Sequence, residues 1–361
     1  MTWCNGTYWR AVSLNREGFT GRCRYNRGMK VLVTGGAGYI GATTVQALLE
    51  AGHDVVVYDN LTNGHADAVP KSVKLVQGDV GDRERLDSLF REHRLEAVLH
   101  FAALIEAGES MKVPEKFFRN NSSSTLTLLE SMLANRVTKL IFSSTAALYG
   151  EPDRIPIREE DTLKPTNAYG ESKLLVERML AWFHRIHRFR YASLRYFNAA
   201  GSNGRSGELH NPESHLIPLI LQVASGQREH ISVFGTDYPT ADGTCVRDYI
   251  HVTDLANAHV LALEALDSHD RLIYNLGNGE GFSVRQVIES VRRITGEPIK
   301  VVEAPRRPGD PAVLVASSDK IRKELNWKPK YPQLDQIVST AWDWMQTHPH
   351  GYAELATTKS L

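Results

Sequence analysis

The chain has 361 residues, enough for two domains or one large one. Its 42 basic and 42 acidic residues cancel, which argues against a nucleic-acid or membrane-surface binder, whose affinity needs clustered positive charge. Hydrophobic content is 42%, no apolar run approaches the about 18 residues of a membrane span, and the cysteines (Cys4, Cys23, Cys245) are odd in number and scattered. A soluble cytoplasmic protein without a disulfide framework is expected.

Residues 1–28 carry five Arg, one Glu and no Lys. They lack the apolar core of a secretory signal and loosely suit a transit peptide. The simpler reading is a disordered extension or a misassigned start ahead of Met29. Asn5-Gly6-Thr7 matches a glycosylation sequon, with no other sign of secretion.

"KVLVTGG" is a short apolar run ending in glycines, which predicts a buried strand and a tight turn. "YIGATTVQALLEAG" has helical spacing and stops at Gly52. "DVVVYDN", "SVKLVQGDV", "EAVLHFAA", "TKLIFSST" and "RYASLRYFN" repeat the strand pattern. Helices are predicted over 82–93, about 114–135 and 168–188. This alternation predicts an α/β fold: a Rossmann-type, doubly wound parallel sheet with helices on both faces. After about residue 197 the pattern loosens through the polar "GSNGRSGELHNPESH". We divide the chain into the extension 1–28, a nucleotide-binding domain 29–196, a smaller mixed α/β lobe 197–352 and a tail 353–361.

"TGGAGYIG" sets Gly35, Gly38 and Gly41 at three-residue steps between strand and helix. Glycine there allows a tight turn and close approach of a pyrophosphate, and the helix N-terminus offers free N–H groups to that anion. Alone, the pattern could be an ordinary strand–turn–helix corner. Asp59 ends the next strand, 18 residues after Gly41, where an acid accepts the adenosine ribose hydroxyls of NAD and would repel the 2′-phosphate of NADP. Asp79 in "QGDV" falls near the adenine edge.

"NAYGESK" puts Tyr169 one helical turn before Lys173. The strand upstream ends in Ser143, Ser144 and Thr145, so a hydroxyl, a phenol and an ammonium are expected beside the cofactor. Tyrosine has a reference pKa of about 10 and must lose about three units, or roughly 4 kcal/mol, to act as a base near neutrality. The ammonium and a positive nicotinamide would both favour the phenolate. No metal ligands are assigned, and "FHRIHRFR" is read as a solvated helix face.

These residues resemble the extended short-chain dehydrogenase/reductase superfamily, and within it the UDP-glucose 4-epimerase (UDP-galactose 4-epimerase) family. The resemblance runs from Met29 to about Gly351 through "VLVTGGAGYIG", "HFAALIEAGES", "NAYGESK", "LRYFNAAGS", "FGTDYPTADGTCVRDYIHVTDLA", "YNLGNG" and "APRRPGDPA". It implies that Tyr169 is the base, Thr145 the catalytic hydroxyl and Lys173 their partner at the nicotinamide ribose. It implies that Gly35, Gly38, Tyr39, Ile40 and Gly41 meet the pyrophosphate, and Asp59, Asn60, Asp79 and Val80 the adenosine. Phe101, Ala102, Ala103, Asn120 and Phe197 would line the inner side of NAD. On the UDP-sugar side it implies Asn198, Arg247 and Arg307 at the diphosphate, Phe234 near uracil and Asp310 at the ribose, with His215, Leu216 and Ser232 in the same wall. A homodimer through the helices over 114–135 and 168–188 is also implied.

The chain departs from the family at three places. Ile105 stands where many members carry a Lys near the cofactor phosphates. His215 stands where some have Asn. Leu314 stands where a Tyr or a smaller residue gates the sugar's 2-position, which keeps N-acetylated hexoses open as substrates. A 4,6-dehydratase needs acids directly after the catalytic Thr, whereas Ala146, Ala147 and Leu148 follow Thr145. A UDP-xylose or UDP-glucuronate epimerase remains as an alternative. A non-catalytic NAD sensor would not need the Thr145, Tyr169 and Lys173 set.

Overall fold

A computed structural model describes residues 28–307 and 310–352. The extension up to residue 27, the tail 353–361 and residues 308–309 lie outside the described residues.

All the strands expected in the first half form. They are β1 (Lys30–Thr34), β2 (Asp54–Asp59), β3 (Lys74–Gln77), β4 (Ala97–His100), β5 (Lys139–Thr145) and β6 (Arg190–Tyr196). Their near-continuous apolar runs suit burial on both faces, and Val31, Leu32, Val33, Val98 and Leu99 are fully buried. The helices between them are α1 (Tyr39–Glu50), α2 (Arg83–His93), the short α3 (Ala107–Ser110) and α4 (Pro114–Phe117), α5 (Ser124–Ala134) and α6 (Ala168–His187). The helix expected over 114–135 forms as one continuous run of helical backbone, α4 to α5. A π-helical turn, Phe118–Ser123, joins α4 to α5 where the polar run "RNNSS" sits. Asn167 starts α6 by accepting a hydrogen bond from Gly170 N at 2.8 Å.

The second half holds β7 (Asn198–Ala200), α7 (Leu216–Ala224), β8 (Ile231–Phe234), β9 (Val246–His251), α8 (Val252–Ala265) and β10 (Arg271–Leu276). It continues with β11 (Gly281–Ser283), α9 (Val284–Thr295), β12 (Val301–Ala304), β13 (Val313–Leu314), α10 (Asp319–Leu325) and α11 (Leu334–Thr347).

Seven parallel strands form the main sheet in the order β10-β6-β5-β4-β1-β2-β3. The order reverses between β1 and β4. Such a switch point opens a crevice at the carboxyl ends of the strands. The lobe has a small sheet of β7, β9, β11 and β13 and a parallel pair, β8 with β12. Its separate core includes Ile217, Ile220, Val287, Ile288, Val291 and Ile337.

The boundary read at residue 196 follows the chain but not the layers. β10 pairs with β6 in the main sheet, and α8 places Leu255, Ala258 and Ala262 in one core with Val45 and Leu48 of α1. "RLIYNL" is an apolar run like those before it, but the polar stretch after residue 200 hides its return to the first sheet.

Candidate active site

β1 hands over to a turn at Gly35, where φ is 71°, a value at which a side chain would be strained. A Cβ there would also sit 2.4 Å from Ala102 N, and one at Gly41 would sit 2.1 Å from Gly35 O. At Gly38 a Cβ meets only Gly35 O, at 3.4 Å, so this side of the loop is an open cradle. Gly38 caps α1 without a side-chain bond. The first-turn N–H groups therefore stay available to an anion.

Asp59 serves the loop as well as the crevice. Its carboxylate accepts from Ala37 N at 2.9 Å and Leu61 N at 2.8 Å. A carboxylate has about four acceptor positions, which leaves about two for ligand hydroxyls. Asp79 accepts from Gly81 N at 2.7 Å and from Asn60 Nδ2 at 3.0 Å. Every expected cofactor residue, from Gly35 to Phe197, lines one crevice of about 350 Å³. The cradle, the helix terminus and the acid at the end of β2 fit a dinucleotide. Ile105 also lines this crevice, giving apolar surface where a cation would otherwise stand.

Thr145, Tyr169 and Lys173 meet at the inner end of the crevice. Thr145 Oγ1 accepts from Ala147 N at 3.1 Å, fixing the turn after β5. The Thr145 hydroxyl stands near enough to the Tyr169 side chain to pull its pKa down. Lys173 is 2% exposed. Its Nζ donates to Ser143 O at 2.9 Å and stands 4.9 Å from the centre of the Phe142 ring.

The electrostatics differ from the expected Lys-activated phenolate. Burial pushes the Tyr169 phenol up to about 12, against a smaller pull downwards from the Thr145 hydroxyl. Burial pushes the Lys173 ammonium down to about 7. Lys173 spends a donor on the Ser143 carbonyl, and desolvation outweighs the attraction expected between ammonium and phenolate. The protein alone thus holds Tyr169 as a phenol at neutral pH.

This has a pH-dependent consequence for stability. The unfolded-state pKa of Lys173 is about 10.4, well above its folded value, so folding releases its proton across that interval and stability rises with pH there. Lys173→Met removes this contribution. The variant's stability relative to wild type is expected to be greatest near pH 7 and to fall as pH climbs towards 10. Urea denaturation at pH 7 and pH 9.5 checks this, and a pH-independent difference between the proteins would place Lys173 at an ordinary pKa.

A second cavity of about 400 Å³ opens from the first and shares Asn198, Glu208 and His215 with it. His215, Leu216, Ser232, Phe234, Arg247, Arg307 and Asp310 line it together, as expected. Arg247 forms an ion pair with Asp310, and the Arg307 guanidinium lies 4.0 Å over the Phe234 ring. Two forked cations beside an aromatic face suit a diphosphate and a base. Leu314 lines neither cavity. In β13 it pairs in register with Arg247 of β9, so its link to the site runs through that strand.

Several residues of the site were missed in the sequence. Asn121, 1% exposed, bonds Leu104 N and Leu104 O, each at 2.9 Å, and Ser172 Oγ at 3.0 Å, tying the loop after β4 to α6. The Tyr196 hydroxyl bonds Ser143 Oγ, on the residue whose carbonyl holds Lys173. Tyr39 OH donates to Gly201 O at 2.6 Å and links the glycine loop to the lobe. Glu208 and His210 also reach the crevice.

A parallel sheet with a switch-point crevice, a glycine cradle and a Thr/Tyr/Lys set defines a dinucleotide-binding protein of the short-chain dehydrogenase/reductase type. The profile of the NAD dependent epimerase/dehydratase family matches residues 31–277, and the chain belongs to that family. A UDP-glucose 4-epimerase of Halalkalibacterium halodurans is 55% identical over 328 residues, covering 90% of this chain and 98% of the relative. One from Streptomyces lividans is 52% identical over 324 residues, covering 90% and 98%. Among solved structures, UDP-glucose 4-epimerase from Bifidobacterium longum in complex with NAD+ and UDP superposes with a TM-score of 0.86 at 40% identity, covering 89% of this chain and 99% of that one.

Proposed function

We propose that this chain interconverts UDP-galactose and UDP-glucose by inverting C4 of the hexose. The observation that carries this reading is the junction of the two cavities. Thr145, Tyr169 and Lys173 stand in the NAD crevice, and it opens at Asn198 and His215 into the arginine-lined pocket.

The diphosphate and base would be held by Arg247, Arg307 and Phe234, leaving the sugar to project past Asn198 towards Tyr169. Tyr169 takes the proton of the 4-hydroxyl, directly or through Thr145. NAD+, when bound, supplies the positive charge that favours the phenolate and the hydride acceptor that gives the hydride back. Lys173, fixed on Ser143 O, would hold the ribose beside the reacting centre. The 4-keto sugar then turns about its diphosphate anchor, and Tyr169 returns the proton to the opposite configuration. Remote binding energy thus positions a loosely held sugar.

Purified protein given UDP-galactose is expected to form UDP-glucose without added reductant. Turnover of UDP-N-acetylgalactosamine or a UDP-pentose, with none of UDP-galactose, would overturn the assignment. The homodimer is part of the same reading. Trp182 and Ile186 on α6 are 60% and 62% exposed, and Leu126 on α5 is 38% exposed, which is unpartnered apolar surface on the two helices concerned. Among the described residues no helix is long and apolar enough to cross a membrane. The buried free thiol of Cys245 fits a reducing cytoplasm.

A further inference from the structure

We propose that Glu208, His210, Glu213 and His215 form a binding site for one divalent cation of the zinc class, in the wall between the cofactor and substrate cavities. One ligand atom from each residue lies within 4.8 Å of all the others. His215 Nδ1 is 2.9 Å from Glu213 Oε1 and 3.1 Å from Glu208 Oε1. His210 Nδ1 is 3.6 Å from Glu213 Oε2 and 3.7 Å from Glu208 Oε1. Zinc binds imidazole nitrogen and carboxylate oxygen at about 2.0–2.2 Å, so a tetrahedral shell has ligand-to-ligand edges of roughly 3.3–3.5 Å. The four separations bracket that edge.

Hydrogen bonding accounts for Glu213 but not for Glu208 or His210. Glu208 and Glu213 side chains are 7% and 6% exposed, so two carboxylates are held away from water. Glu213 Oε1 takes bonds from Ser214 N and His215 N, each at 2.8 Å, and from His215 Nδ1 at 2.9 Å, whereas the Glu208 carboxylate accepts none from the described residues. One imidazole Nδ1–H cannot serve both acids. His210 Nδ1 is buried with no hydrogen-bond partner, although it faces both carboxylates. Buried polar groups are nearly always partnered, and buried charges are paired or bound to metal. A cation at the centre satisfies all four groups at once. Two imidazoles with two carboxylates suit zinc or a neighbouring transition metal better than Mg²⁺ or Ca²⁺, which prefer oxygen shells.

The role follows from the place. The ligands lie on the loop between β7 and α7. The middle of that loop is clamped by Tyr352 OH, which bonds Gly207 N at 3.1 Å and Gly207 O at 2.9 Å. The cation would clamp the far end, just before α7. His215 would bind through Nδ1 and keep Nε2 for the substrate side. The ion would set the shape of the partition between the two cavities without taking part in the redox step.

The test uses the full chain with its NAD, stripped of metal by a chelator, titrated with Zn²⁺ and followed by calorimetry and by thermal melting. One equivalent is expected to bind and to raise the melting temperature, with no such effect from Mg²⁺ or Ca²⁺. His210→Gln is expected to weaken that equivalent by at least about 100-fold, since even the outer-shell partners of a metal ligand cost 10–100-fold. Glu208→Gln gives the same reading where His210→Gln fails to retain NAD and native circular dichroism. No saturable binding, or binding that neither variant weakens, would overturn the site and leave a metal-free His–Glu cluster.

Discussion

Tyr169→Phe is expected to reduce epimerase turnover by about 10²–10⁴-fold, the usual contribution of a positioned proton-transfer group. The substitution removes one oxygen and leaves the ring that fills the crevice wall. The glycine cradle and Asp59, which would hold NAD, do not involve that oxygen, so the variant is expected to hold NAD as wild type does. The structure adds a condition. Burial keeps the Tyr169 pKa at about 12 in the protein alone, so the phenolate has to be favoured by what binds beside it. An ultraviolet titration of wild type against Tyr169→Phe is expected to show phenolate absorbance near neutrality only in the NAD+-bound protein. Substantial UDP-galactose conversion by Tyr169→Phe would remove Tyr169 from the proton transfer. A phenolate signal without NAD+ would show that the protein itself activates the group.

The sheet was legible because both of its faces are covered. Runs such as "VLV" in β1 and "LIF" in β5 are apolar at successive residues, which half-exposed strands are not. The glycine cradle, Asp59 and the Thr145, Tyr169 and Lys173 set were legible because their chemistry depends on residue type at fixed spacing. What could not be read depends on three-dimensional return paths and on burial. β10 reaches the main sheet only after an excursion through the lobe. The direction of the Tyr169 and Lys173 shifts follows from desolvation, which a one-turn spacing does not reveal. Leu314 was placed at the sugar by resemblance, whereas pairing puts it beside Arg247 in a strand. The Glu208–His215 cluster has no helical or zinc-finger period, because an irregular loop folds its four ligands inwards.

Glu177→Gln is expected to destabilise the fold by about 3–5 kcal/mol, the cost of leaving one member of a buried ion pair alone. Glu177 lies two helical turns beyond Tyr169 on α6, and its side chain and that of Arg195 are 7% and 3% exposed. The pair is bidentate: Arg195 Nε to Glu177 Oε1 at 3.0 Å, and Arg195 Nη2 to Glu177 Oε2 at 2.5 Å. Ser144 Oγ, next to Thr145, donates to Glu177 Oε1 at 2.7 Å. Arg195 Nη1 donates to Tyr149 OH at 2.9 Å, and Tyr149 OH donates to Asn275 Oδ1 at 2.7 Å. One network thus ties α6 to β5, β6 and β10, and α6 carries both Tyr169 and Lys173. With glutamine the guanidinium remains buried without a counter-charge. At roughly 2–4 °C per kcal/mol for chains of this general size, the melting temperature should fall by about 10 °C. If the network also positions α6, turnover measured well below that transition should drop while NAD stays bound. The pair Glu177→Leu with Arg195→Leu removes both charges, and it is expected to recover stability without recovering turnover. An unchanged urea midpoint in Glu177→Gln would show that the pair holds nothing. Full turnover in the double variant would show that it holds the fold but does not aim Tyr169.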